Sequence, residues 1–358
     1  MSRPRCVLIL AFLSVLSAAP VHAAAAEPPK ISKPKPAPPA PPGAVPALPP
    51  AVFDPTLAVG GSDVKARKIE TRLSVDVKVN GSGPYHFIVD SGADTSVVGL
   101  RIAHDLQLPL GSPAVLNGMT SRNIVDRVKV AELNLGPTTI KNLELPALKE
   151  YDLGGDGMLG IDALTQQRLM MDFEHKLIKV EDASTPEKFY PGDIVITARR
   201  KRGQLILTHV TAVGLPLDAV IDTGSEITIG NLALRDKLLP GNREKFIDVT
   251  AIDVSGVTAH LQVARIAELQ LGPVVLRDVP MAFADVPPFK LFGLSDEPAL
   301  LLGTDVLETF RKVSLDFKAR KVRFQLRSCR PEGVILSTSD DATYTRLFSR
   351  GGLEVCAD

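Results

Sequence analysis

Asp90-Ser91-Gly92 and Asp222-Thr223-Gly224 each follow a run of strand-forming residues, His86-Phe87-Ile88-Val89 and Ala219-Val220-Ile221. Two carboxylates brought within hydrogen-bond distance do not both ionise cheaply. Repulsion raises one pKa and leaves the pair sharing a proton. One carboxylate then acts as base on a bound water, while the other polarises a carbonyl. Gly92 and Gly224 allow two loops to approach where a β-carbon would obstruct them. The hydroxyls of Ser91 and Thr223 are placed to bond across to the opposite loop and hold the carboxylates coplanar. One such triplet alone is weak, because residue frequencies would place one by chance in roughly one chain in seven of this length.

Their positions in a repeat make the two triplets a pair. In the first copy, Leu73-Ser74-Val75-Asp76-Val77-Lys78-Val79 alternates apolar and polar residues as a half-buried strand does, and Asn80-Gly81 turns the chain into the first triplet. In the second, Leu205-Ile206-Leu207-Thr208-His209-Val210 and Gly214-Leu215-Pro216 precede Asp222. Downstream, Ala131-Glu132-Leu133-Asn134-Leu135-Gly136-Pro137 matches Ala267-Glu268-Leu269-Gln270-Leu271-Gly272-Pro273. Met158-Leu159-Gly160 matches Leu301-Leu302-Gly303, and Asp172-Phe173 matches Asp316-Phe317. Short β-branched segments bounded by glycine and proline predict two antiparallel β-rich lobes, 68–183 and 190–328. Short helices are expected near 103–106, 161–168 and 305–311.

With these motifs the chain resembles the retropepsin-like aspartic peptidases over about residues 68–328. The resemblance implies a mostly β, bilobal fold built from two homologous lobes, with Asp90 and Asp222 as the catalytic pair. Ser91, Gly92, Thr223, Gly224 and Ser225 would support that pair. Leu159-Gly160 and Leu302-Gly303 would brace the aspartate loops. Glycine-tipped hairpins carrying Gly118 and Met119, and Gly256 and Val257, would be flaps over a polypeptide substrate. No metal or organic cofactor is implied, and with both halves in one chain a monomer suffices. The tyrosine of a pepsin flap is missing. Ile161 and Thr304 stand where retroviral enzymes carry arginine, and the next residues, Asp162 and Asp305, are expected to cap short helices. Asp94 and Glu226 are expected to brace loops or face substrate. Ser225 offers a hydroxyl to Asp222 where Ala93 offers nothing to Asp90, so Asp222 is expected to ionise more easily.

The rest of the chain bounds the setting. Its 358 residues contain 41 Lys plus Arg and 41 Asp plus Glu, a net charge of zero that argues against nucleic acid or an anionic membrane as partner. The run Arg199-Arg200-Lys201-Arg202 reads as a solvated turn. The six histidines show no metal-ligand spacing, and neither a phosphate loop nor a nucleophile elbow is present. Arg3 and Arg5, an apolar stretch over 6–16 and Val21-His22-Ala23 read as a signal peptide over 1–23, an uncleaved anchor being the minor alternative. The expectation is therefore an exported protein, periplasmic or secreted, without stable membrane insertion after cleavage. Residues 24–67, rich in alanine and proline at their start, read as a tether. Cys329 and Cys356 remain after cleavage. An even pair in an exported chain points to a disulfide in the tail 329–358, the alternative being two buried free thiols. The rival to a peptidase is a non-catalytic peptide-binding or scaffold protein that keeps the cleft.

Overall fold

A computed structural model describes residues 27–38, 62–69, 72–119, 121–136, 138–164, 167–183, 192–241, 246–252, 254–327 and 335–338. The expected signal peptide and both tail cysteines lie outside the described residues. Among the described residues no helix is long and apolar enough to cross a membrane.

Each lobe closes six strands into a ring. In the first, Ser82–Val89 pairs with Arg72–Val79, then Arg127–Leu135, Thr138–Leu148, Val97–Gly99 and Gly157–Leu159, which returns to Ser82–Val89. The second repeats the circuit with Leu215–Ile221, Gln204–Ala212, Thr258–Leu271, Val274–Phe283, Ile229–Gly230 and Ala299–Leu302. Closure leaves these rings without free edges. The alternation read from sequence sets which side chains point inward: Val75, Val77 and Val79 are buried while Asp76 and Lys78 face water.

The turns that start each ring differ in cost. Asn80 and Gly81 have φ of 49° and 78°, and Val213 and Gly214 have φ of 50° and 77°. Two successive positive φ values define a tight hairpin turn that asparagine-glycine adopts readily and a β-branched residue does not. Val213 is also 58 % exposed, so it gains little from burial. Val213→Asn should raise stability by about 1 kcal/mol, read as an increase in melting temperature.

A third sheet joins the lobes, running Ser62–Ile69, Leu177–Asp182, Gln167–Asp172, Lys312–Asp316, Lys321–Gln325 and Ile194–Lys201. Its central pair crosses from one repeat to the other, with Leu169 opposite Leu315 and Arg168 opposite Asp316. The largest apolar cluster runs through both lobes and this sheet, from Val77 and Leu133 to Leu315, Phe317 and Phe324.

Three details depart from the sequence reading. Helices form at Leu100–Asp105, Ile161–Leu164 and Thr304–Leu307, shorter than or shifted from those expected. Helices Glu150–Leu153, Leu232–Leu238 and Pro287–Leu291 were not anticipated. The span 24–67 is more than a tether: Ser62–Ile69 is a strand of the joining sheet, and Lys35–Pro36 pairs with Arg122–Val125.

Candidate active site

The strand following each hairpin ends at an aspartate, and the brace segment fixes that end. Leu159 lies beside Val89 and Leu302 beside Ile221 in parallel pairs. The Asp90 amide donates to the Leu159 carbonyl at 2.9 Å and the Asp222 amide to that of Leu302 at 3.0 Å. Glycine follows each brace because the next loop lies against it: a β-carbon on Gly160 would sit 2.6 Å from the Thr95 carbonyl oxygen, and one on Gly303 2.6 Å from that of Ile227.

The two loops are tied across the lobe boundary. Ser91 donates its amide to Thr223 Oγ1 at 2.9 Å and its hydroxyl to the Ile221 carbonyl at 2.9 Å. Reciprocally, the Thr223 amide donates to Ser91 Oγ at 3.2 Å and its hydroxyl to the Val89 carbonyl at 2.7 Å. All of these groups are buried, so each bond also removes an otherwise unsatisfied polar atom. The arrangement places Asp90 and Asp222 in hydrogen-bond contact with each other. A β-carbon on Gly92 would lie 2.6 Å from Asp222 Cγ, and one on Gly224 would collide with the Asp90 carboxyl group. Gly224→Ala should therefore separate the carboxylates, abolishing any dyad activity and lowering the melting temperature. Parallel turnover and thermal-melt measurements check this.

The two acids are not equivalent. Burial raises both above the ordinary carboxylate range. Amides of Gly92 and Ala93 donate to Asp90 Oδ1 at 2.8 and 3.0 Å, and the Arg72 charge also favours its ionised form. The corresponding bonds to Asp222 from Gly224 and Ser225 are longer, 3.1 and 3.2 Å. Burial and then the Asp90 charge push Asp222 up to about 8. Asp90 is thus the more easily ionised member of the pair, the reverse of the expectation from Ser225. The physical reason is a rotamer: Ser225 Oγ turns away and donates to the Ile227 carbonyl at 2.7 Å, leaving only its amide to Asp222.

Charged residues that the sequence reading missed frame the pair. Arg72 lies 2.7 Å from Glu226, and Arg202 Nε donates to Asp94 at 3.0 Å, so each lobe sends an arginine to the acid that follows the other's triplet. Gln204 Nε2 adds a bond to Asp94 at 2.6 Å. Asp94 and Glu226 are therefore loop braces, Asp94 also lining the cavity over the pair, and Arg202 is held against Asp94 rather than solvated. The available signal was an arginine just ahead of the first strand of each repeat. Asp162 and Asp305 do more than the expected capping, in which Asp305 accepts the Val306 amide at 2.8 Å. Both lie inside their helices and reach back to Ser96 and Thr228, whose amides donate to them at 2.9 Å. They tie the loop after each triplet to the brace.

Two hairpins cover the carboxylates. The first joins Ala114–Asn117 to Arg122–Val125, the second Ile247–Ile252 to Thr258–Leu271. Each reaches the opposite lobe, Met119 packing against the second lobe's apolar cluster and Val254 against the first lobe's. They also meet at their tips: Asn123 Nδ2 donates to Ser121 Oγ at 2.7 Å and to Ser255 Oγ at 2.9 Å. Beneath them lies a cavity of roughly 130 Å³ whose lining includes Asp90, Asp222, Gly118 and Met119. Of the second hairpin it is Val254, not Gly256 or Val257, that lines the cavity. Gly256 instead sits at the tip beside the Asp152 carboxylate. As for metals, Asp172, Glu174 and His175 bring ligating atoms within 4.8 Å of one another. Asp172 already pairs with Lys312 at 2.8 Å and His175 at 3.0 Å, as a closed turn would.

A family model described as aspartyl protease matches residues 75–163 and 208–306, one stretch in each lobe and each containing a triplet and its brace. No curated protein matches the chain.

Proposed function

Since the chain belongs to the aspartyl protease family, we propose that it is an aspartic endopeptidase acting on extended polypeptides outside the inner membrane. The observation that carries this reading is the pair Asp90 and Asp222, brought into hydrogen-bond contact by loops tied to each other at the floor of a covered cavity. Ionised Asp90 takes a proton from a water positioned between the carboxylates. The hydroxide so formed adds to the peptide carbonyl carbon, while the proton on Asp222 stabilises the carbonyl oxygen. A proton then passes to the amide nitrogen, the C–N bond breaks, and the dyad returns to its singly protonated form. The hairpins supply backbone edges for an extended substrate.

Val97, Leu116, Met119, Met158, Leu291 and Phe292 make the cavity wall mainly apolar. An apolar substrate side chain would leave water there with a gain of about 25 cal/mol per Å² buried. Incubation with a peptide library from acid to neutral pH, followed by mass spectrometry, should find cuts beside apolar residues. Binding of peptides without any cleavage across that range would defeat the peptidase reading in favour of a peptide-binding module.

A further inference from the structure

The proline-rich segment ahead of the first lobe is seated on the first flap. Lys35 and Pro36 pair antiparallel with Ile124 and Asn123. The Ser32 amide donates to Asp126 Oδ2 at 2.7 Å, and the Ala37 amide to the Arg122 carbonyl at 2.9 Å. Arg122 returns a bond from Nη1 to the Pro38 carbonyl, and Ile31 packs against the main core. The first flap is otherwise a two-stranded hairpin, a unit of marginal stability by itself. Pro36 lies directly opposite Asn123, which together with Ser121 links the two flap tips through Ser255. The second flap has no such added strand among the described residues.

From this geometry we propose that residues 31–38 are a strap, a docked third strand that holds the first flap down and keeps Asn123 latched to Ser255. Composition suits the segment to that task. Its prolines pre-set an extended backbone, so docking sacrifices little conformational freedom. A proline at the outside of a sheet also presents no N–H to a further strand, which ends the sheet there. Undocking of the strap frees the hairpin strand Arg122–Val125, breaks the latch and opens the cavity. The link from opening to substrate entry rests on the peptidase reading, whereas the strap itself does not.

Hydrogen exchange read by mass spectrometry tests the strap without any substrate. The variant Ser32→Pro/Ala37→Pro removes both anchoring N–H groups and alters no residue of either lobe. A second variant deletes residues 24–39. Both should exchange about tenfold faster over 114–126, with 167–172 of the joining sheet unchanged. A synthetic peptide of residues 27–39 added to the deletion variant should restore protection. Unchanged exchange over 114–126 in both variants overturns the proposal. So does faster exchange spread equally to 167–172, or failure of the peptide to restore protection. If the protein also cleaves peptides, the proline variant should show a higher kcat/KM. Loss of the strap's effect on exchange and loss of cleavage are then separate outcomes.

Discussion

Asp222→Asn should abolish peptide cleavage and, at neutral pH, make the protein more stable. The first effect follows from chemistry: asparagine cannot pass a proton to the carbonyl oxygen or take one back. The loss in kcat should be at least about a thousandfold, within the range for a positioned acid–base group. The second follows from linkage. The carboxyl group of Asp222 has its pKa raised from 3.8 in the unfolded chain to about 8 in the folded one. Between those values the folded state binds more proton than the unfolded state, so stability falls as pH rises through the window. Asparagine carries no proton to lose and removes that fall. Wild type should therefore lose melting temperature from about pH 4 to about pH 8, and the variant should lose less. Asp90→Asn should abolish cleavage equally. It should also lower the Asp222 pKa, since the Asp90 charge is one of the causes that raises it. The wild-type pH–rate profile should fall on the alkaline side near 8, where Asp222 gives up its proton. Full activity persisting well above that pH would place the retained proton elsewhere.

The largest effect on stability is expected far from the cavity. Arg168 and Asp316 face each other at 3.0 Å in the central strand pair of the joining sheet, with side chains only 5 % and 3 % exposed. Asp316 Oδ1 also receives the Ala319 amide at 2.7 Å, closing the turn after its strand. Asp316→Ala takes from a buried guanidinium the carboxylate that faces it across the seam, while Glu181 at 3.2 Å stays in place. Breaking one half of a buried pair costs about 3–5 kcal/mol, whereas replacing both halves with apolar residues is often neutral. Urea titration should therefore show Asp316→Ala strongly destabilised and Arg168→Met/Asp316→Leu close to wild type. A single variant within about 1 kcal/mol of wild type would mean that water reaches the arginine.

Much of this was legible in the sequence. Hydrophobic alternation, glycine placement and matched blocks are local signals, and they located both triplets, both braces and both hairpins. What escaped depends on side-chain direction or on contacts across the lobes. Whether Ser225 turns to Asp222 or to Ile227 is a choice of rotamer that residue type does not settle. The Arg72–Glu226 and Arg202–Asp94 pairs join residues far apart in sequence, and an arginine in a basic run looks the same solvated or paired. The docking of 31–38 was invisible for a related reason. Proline and alanine carry no pattern that names a partner, and their backbone pairing depends on the edge that the first flap presents.

The joining sheet has a consequence for assembly. Three neighbouring strands come from the first half of the chain and three from the second, and its middle is the seam between Gln167–Asp172 and Lys312–Asp316. Either repeat expressed by itself would present that seam as a bare row of peptide groups, together with one carboxylate and half of the hydroxyl exchange between Ser91 and Thr223. Such a half would seek a complement, its missing twin or another copy of itself. The covalent link between repeats thus fixes which complement is found. With unlike halves, the proton can have a settled owner.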